Sequence, residues 1–135
     1  MSTAKRELIL AALATRLGAV RNPYPTDYVD SAIVTLLEGE ETAEYDDYAD
    51  TVIRMSVTVE RIDKYAEDAA RETVANGLLA ASIAAALGTD TTLGGLCEGM
   101  RYTGGATVFS DTGSALVGAV TRFEIVYRHV AGNPY

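Results

Sequence analysis

Residues 51–62 read as the clearest strand of the chain: Ile53, Met55, Val57 and Val59 fall on one side, Arg54, Ser56, Thr58 and Glu60 on the other. Successive side chains of an extended chain point to opposite faces, so this pattern dictates a strand with one buried face and one wet or interfacial face. Such a strand needs a sheet to belong to and a layer to cover its dry side. Residues 116–130 make the same demand as a long closing strand, with Phe123, Ile125 and Tyr127 on one face and Arg122, Glu124 and Arg128 on the other.

Two segments can supply the covering layer. Residues 5–20 carry Leu10, Leu13, Leu17 and Val20 at helical spacing, with Ser2 or Thr3 placed to cap the first turn and Gly18 suited to a helix end. The stretch Asn22-Pro23-Tyr24-Pro25 then forbids helix. Residues 65–87 start with charges and end in an Ala-rich run over 78–87, which reads as a buried helix stopped by Gly88. Residues 32–38 read as a strand, and the acidic stretch 39–50 as a loop. Residues 89–99 are glycine-rich and irregular, and residues 100–109 read as a strand broken at Gly104-Gly105. A turn at Asp111-Thr112-Gly113 follows. The order α-β-β-α-β-β predicts an α+β domain: a mixed, mainly antiparallel sheet with two main helices on one face. At 135 residues the whole chain, 1–135, fits one domain, and 48% hydrophobic residues suit a folded core rather than a disordered tail.

Charge is unevenly distributed. The net −8 is concentrated in Glu38, Glu40, Glu41, Glu44, Asp46, Asp47 and Asp50; without those seven, twelve acidic and eleven basic residues remain, a net of −1. A chain of this balance lacks the clustered Lys and Arg that general nucleic-acid binding requires. The longest apolar run is about half the roughly 20 residues of a membrane span, so no membrane association is expected. Near the N-terminus Lys5, Arg6, Glu7 and Arg16 interrupt any apolar stretch, so no signal peptide is expected.

The residues offer little for catalysis. One cysteine, Cys97, excludes an intrachain disulfide, and one histidine, His129, leaves a Cys–His pair conceivable but without an evident third group to orient it. One His and one Cys cannot build a zinc shell, and the acidic segment lacks the alternating Asp pattern and central glycine of an EF-hand. The run Leu93-Gly94-Gly95-Leu96-Cys97-Glu98-Gly99 has no Lys-Ser/Thr after it and follows a helix, the wrong order for a phosphate cradle. Neither a catalytic site, a metal site nor a cofactor is expected. Eight tyrosines and no tryptophan point instead to interfaces, with Tyr24, Tyr28, Tyr45, Tyr48 and Tyr135 in predicted loops or termini.

The second half has a further layout. The Ala-rich helix runs into Leu87-Gly88-Thr89-Asp90 and Thr92-Leu93-Gly94-Gly95-Leu96; a hairpin follows, then Phe123-Glu124-Ile125-Val126-Tyr127-Arg128 and Gly132-Asn133-Pro134. With the N-terminal helix, Pro-containing link and acidic excursion before it, this resembles the tail terminator (tail completion) proteins of long-tailed phages and related prophages. The resemblance covers nearly the whole chain by layout. It implies a non-enzymatic virion protein, made in the host cytoplasm and placed at the head-proximal end of the tail. Its copies would form a ring, usually of six, that stops growth of the tail tube and presents the head-joining surface. The implied partners are further copies, the tail tube protein and a head-side connector protein, with DNA passing through the lumen without specific binding.

On that footing the interface or lumen candidates are the seven acids together with Arg54, Tyr45, Tyr48, Arg122 and Arg128. A lumen ring of carboxylates would repel the phosphates of passing DNA. The residues are also compatible with a head–tail connector or neck protein, with a small-molecule-binding module using Cys97 or His129, and with a generic dimeric domain.

Overall fold

The computed structural model describes residues 2–22, 33–46, 49–65, 70–109 and 115–135. The alternating segment becomes β3 (Asp50–Lys64), the middle strand of a five-stranded sheet. It lies antiparallel to β5 (Leu116–Val130) over its full length, from Asp50 opposite Val130 to Lys64 opposite Leu116. β2 (Ile33–Asp46) flanks β3 on the other side and β4 (Gly99–Phe109) flanks β5, both antiparallel. A two-residue β1 (Val20–Arg21) runs parallel to β2, giving the order β1-β2-β3-β5-β4 and making the sheet mixed. α1 (Lys5–Leu17) and α2 (Arg71–Leu87) cover one face. The α+β class and the α-β-β-α-β-β order hold, with β1 as the addition.

The core is the dry side of the alternation. Ile53, Met55, Val57 and Val59 of β3 meet Phe123, Ile125 and Tyr127 of β5, and Ile9, Leu10, Leu13 and Leu17 of α1 lie over them. Val57 stands directly opposite Phe123, and Met55 opposite Ile125. Tyr102 of β4 meets Phe123 edge-on, with ring centroids 6.0 Å apart. Such aromatic pairs contribute about 0.5–1.5 kcal/mol beyond burial.

The ends of α1 depart from expectation. Neither Ser2 nor Thr3 caps it: Ala4 is the N-cap and has no side-chain bond, and the backbone N–H of Lys5 donates instead to the carbonyl of Pro134 at 2.9 Å. The C-terminal tail therefore supplies what a local cap usually does. The helix stops at Leu17, where Gly18 adopts the left-handed conformation (φ 64°) that glycine accepts without strain. Val20, expected on the apolar stripe, belongs to β1 and is half exposed.

α2 starts at Arg71 instead of residue 65, since Tyr65 is tied by its N–H to Ala115; residues 66–69 lie outside the described residues. Its Ala-rich run is not wholly buried as expected. Ala75, Ser82 and Ala86 are buried, while Gly77, Ala80, Ala81 and Ala84 face outward. α2 lies close to the sheet: a Cβ on Gly105 would stand 3.1 Å from Leu79 Cδ1. The turn at Asp111-Thr112-Gly113 and most of the Asn22-Pro23-Tyr24-Pro25 stretch lie outside the described residues.

The irregular segment after α2 is organised by one side chain. Asp90 Oδ1 accepts from the backbone N–H of Thr92 (2.8 Å) and Gly94 (3.3 Å), and Oδ2 accepts from Arg16 of α1 at 2.9 Å. The two backbone donors, with Arg16 adding to them, hold the Asp90 carboxyl below its usual range. This turn lowers Leu93 and Cys97 into the core, and Arg16 also donates to the carbonyl of Ala86 at 3.0 Å, clamping α1 to the end of α2.

Candidate functional site

The largest correction to the sequence reading concerns the acidic stretch 39–50, of which residues 39–46 are strand and not loop. Residues up to Asp46 continue β2, pairing Thr42 with Arg54, Glu44 with Val52 and Tyr45 with Thr51. A register shift between Glu38 and Glu41 bends the strand there. A Cβ on Gly39 would come within 2.6 Å of the carbonyl oxygen and the hydroxyl of Ser56, so only glycine fits the approach of β2 to β3 at the bulge. β2 and β3 thus form one long hairpin arm with acids along its outer strand.

The shift distributes the acids over different surroundings. Glu38 accepts from Arg21 (3.1 Å) and from the side-chain amide of Asn22, and Arg21 also grips Glu7 at 2.6 and 3.0 Å. These contacts pin β1 between α1 and β2, hold the Glu7 carboxyl below its usual range and push the Arg21 guanidinium further up. Glu41 pairs with Arg6 of α1 and lies 3.4 Å from the hydroxyl of Tyr127. Glu40 and Glu44 are exposed, and Asp50 opens β3 opposite Val130. Tyr45 is 74% exposed on β2. The side chain of Asp46 and the whole of Asp47 and Tyr48 lie outside the described residues.

On the face away from the helices the wet residues of the alternation form an ion network. Glu124 of β5 accepts from Arg54 of β3 at 3.2 Å and from Arg101 of β4 at 3.1 Å, and Arg54 also approaches Glu44 at 3.7 Å. Arg128 pairs with Glu98, the residue before β4. Each of these pairs is partly exposed and contributes about 0–1 kcal/mol, so the network patterns a surface more than it stabilises the fold. Arg122 is exposed on the same face, opposite Thr58. Further along, the face turns apolar: Ile62, Val108, Leu116 and Val120 surround Gly118 in an open depression of about 250 Å³. α1 and α2 lie on the opposite face, and Arg54, Ser56 and Arg122 on this one are exposed.

Of the sequence candidates, the structure brings Glu44, Arg54 and Arg128 onto one surface with Arg122, and it turns Glu38 and Glu41 toward α1. Sequence reasoning missed Arg6, Arg21, Glu98 and Arg101. Arg101 carries a legible signal, since it is the lone charge of an otherwise uncharged strand; the roles of Arg6 and Arg21 depend on contacts far along the chain.

Cys97 is buried, its Sγ is 3.8 Å from the carbonyl of Thr91, and burial pushes its thiol up, away from the thiolate form a nucleophile needs. His129 sits beside Tyr127 and contacts the carbonyl of Val130 at 2.9 Å. No hydrogen bond among the described residues joins Cys97 to His129, and no three His, Cys, Asp or Glu side chains among them converge on a common point. No helix among the described residues is long and apolar enough to cross a membrane.

Tyr127 titrates late. Burial, with the Glu41 carboxylate adding to it, pushes its phenol up to about 12. Because the folded value lies above the ordinary value of about 10, the stability it contributes is present below pH ~10 and is lost as pH rises toward the folded value. Tyr127→Phe is expected to abolish that loss while lowering neutral-pH stability by about 0.5–1.5 kcal/mol through the missing hydrogen bond. Denaturant melts across this window, with tyrosinate absorbance as the titration readout, check both.

No protein-family model matches the chain, and no curated protein matches it. Among solved structures, a chain of the "Virion of native gene transfer agent (GTA) particle" is similar at a TM-score of 0.46 and 15% identity, over 93% of this chain and 92% of that one.

Proposed function

We propose that this chain is a virion structural protein whose copies form a ring on the head-proximal end of a phage tail tube, ending tube growth and offering the surface to which the head joins. The observation that carries this reading is the open sheet: among the described residues Arg54, Ser56 and Arg122 are exposed on the face away from the helices, long parts of both edges have no backbone partner, and the charged residues collect there instead of around a cavity. Such a subunit is built to meet other proteins over extended surfaces.

The residues of the phage resemblance also occupy defined places. Leu93 and Leu96 of the helix-end segment pack on the core, Tyr127 and Arg128 close β5, and the Gly132-Asn133-Pro134 tail turns back on Val130 and caps α1. The segment that sets the end of the last strand therefore also fixes the first helix.

In a ring, the partners are neighbouring copies, the tail tube protein and a head-side connector. The exposed carboxylates of the β2 arm would border the lumen and repel DNA phosphates, a field that grows with each added subunit. Replacing Glu40 and Glu44 with glutamine is then expected to slow DNA passage in the particles that assemble, read as the ejection rate of particles carrying the variant. Wild-type ejection would remove the arm from the lumen.

Mass in solution together with negative-stain imaging tests the assembly itself. Closed rings of uniform size are the expected result; a monomer both alone and in the presence of tail tubes would contradict the proposal.

A further inference from the structure

We infer that neighbouring copies of this chain join edge to edge, the outer side of β4 in one copy pairing antiparallel with the outer side of β2 in the next. This deepens the ring reading by naming the contact, but its observations are the two edges alone.

Among the described residues β4 is the last strand in the sheet and is hydrogen-bonded to β5 only. Among the described residues no backbone bond ties its outer side to another segment. In an antiparallel strand alternate residues turn their N–H and C=O groups away from the neighbour, so an 11-residue edge leaves a row of them bare. Subunits that remain alone guard such an edge with lysine, proline or brevity. β4 has neither lysine nor proline, and past a register shift between Tyr102 and Gly104 it pairs regularly with β5 from Gly104 to Phe109; it reads Gly-Met-Arg-Tyr-Thr-Gly-Gly-Ala-Thr-Val-Phe, and Val108 near its end is 50% exposed.

The opposite edge is open as well, in a different character. β1 covers β2 only at Thr35 and Leu36, and Asn22 extends the cover to Glu38. From residue 40 to residue 46 the outer side of β2 has no backbone partner among the described residues. That stretch carries Glu40, Glu41, Glu44 and Asp46 and no base, whereas Arg101, its side chain 70% exposed, is the only charged residue of β4. Two β2 edges would set like charges against each other, which disfavours their pairing. A β4 edge against a β2 edge sets Arg101 among acids.

Strand direction agrees. β2 opposes β3, β3 opposes β5 and β5 opposes β4, so β2 and β4 run in opposite senses within one sheet. Copies that share a strand direction therefore meet β4 to β2 as antiparallel neighbours, with every pair of helices on the same side. A contact between two different patches propagates from copy to copy until the rotation closes it. The sheet would then run unbroken around the ring.

Amide hydrogen exchange on the full-length protein, dilute and concentrated, tests this directly, with Arg101→Glu followed by sedimentation. Concentration should slow exchange in residues 99–109 and 40–46 together, and Arg101→Glu should weaken self-association at least tenfold at low salt. Slowing at β4 alone, slowing at neither edge, or unchanged association of a folded Arg101→Glu protein would overturn the inference. A ring whose two edges still exchange freely would overturn it while leaving the capping function standing. Edge-protected assemblies that do not affect tube growth would support it and remove the capping function.

Discussion

Phe123→Ala is expected to lower the unfolding free energy by about 3–5 kcal/mol, the usual cost of emptying a large aromatic site. Phe123 is 1% exposed and sits where the two long strands cross the helices, opposite Val57 and edge-on to Tyr102. Its neighbours on β3 are fixed by continuous strand pairing, so they cannot close over the gap. Much of a small domain's total stability lies within that figure, since such totals are commonly about 5–15 kcal/mol. Urea unfolding followed by circular dichroism should show a lower midpoint with little change in slope. A loss below about 1 kcal/mol would mean that the site collapses or that the ring is not buried as described.

Gly105→Val follows from a different constraint and should cost about 1–3 kcal/mol through overpacking. A Cβ at this position would stand 2.5 Å from the carbonyl oxygen of Val120, 2.8 Å from the hydroxyl of Tyr102 and 3.1 Å from Leu79. The first of these is backbone within the β4–β5 ladder and cannot step aside. Either β4 shifts in register or α2 lifts from the sheet. The measurable outcome is a lower melting midpoint together with faster amide exchange in residues 99–109, and wild-type exchange there would show that the helix has room to move.

How far each element was legible depended on whether its cause was local. β3 and β5 were readable because alternation follows from the geometry of the strand itself, and β5 begins and ends where its pattern does. The acidic arm was not. Acids are depleted in strands, so Glu40, Glu41 and Glu44 read as a loop; what makes them strand is the ladder to β3, with Arg6 and Arg54 supplying charge from elsewhere in the chain. The cap of α1 was equally hidden, since it comes from Pro134, at the other end of the sequence. α2 was legible as a helix but not in its exposure, because alanine serves a close approach and a solvent face alike.

The candidate surface was legible in part for the same reason. Arg54, Arg122 and Arg128 were placed on the wet face by alternation alone, whereas their meeting with Glu98, Arg101 and Glu124 depends on the order β3-β5-β4, which no local pattern encodes. The division of Glu38 and Glu41 from Glu44 arises at a single bulge beside Gly39.

The central claim is that this protein ends a tail tube, and tube growth in its presence measures that most directly. Purified tail tube protein is allowed to polymerise with and without the full-length chain, and tube lengths and ends are imaged over time. The account predicts tubes that stop elongating at one end, each with a ring of this protein seated there. Tubes that keep elongating at both ends at the unperturbed rate, with the protein in excess and folded, would contradict it.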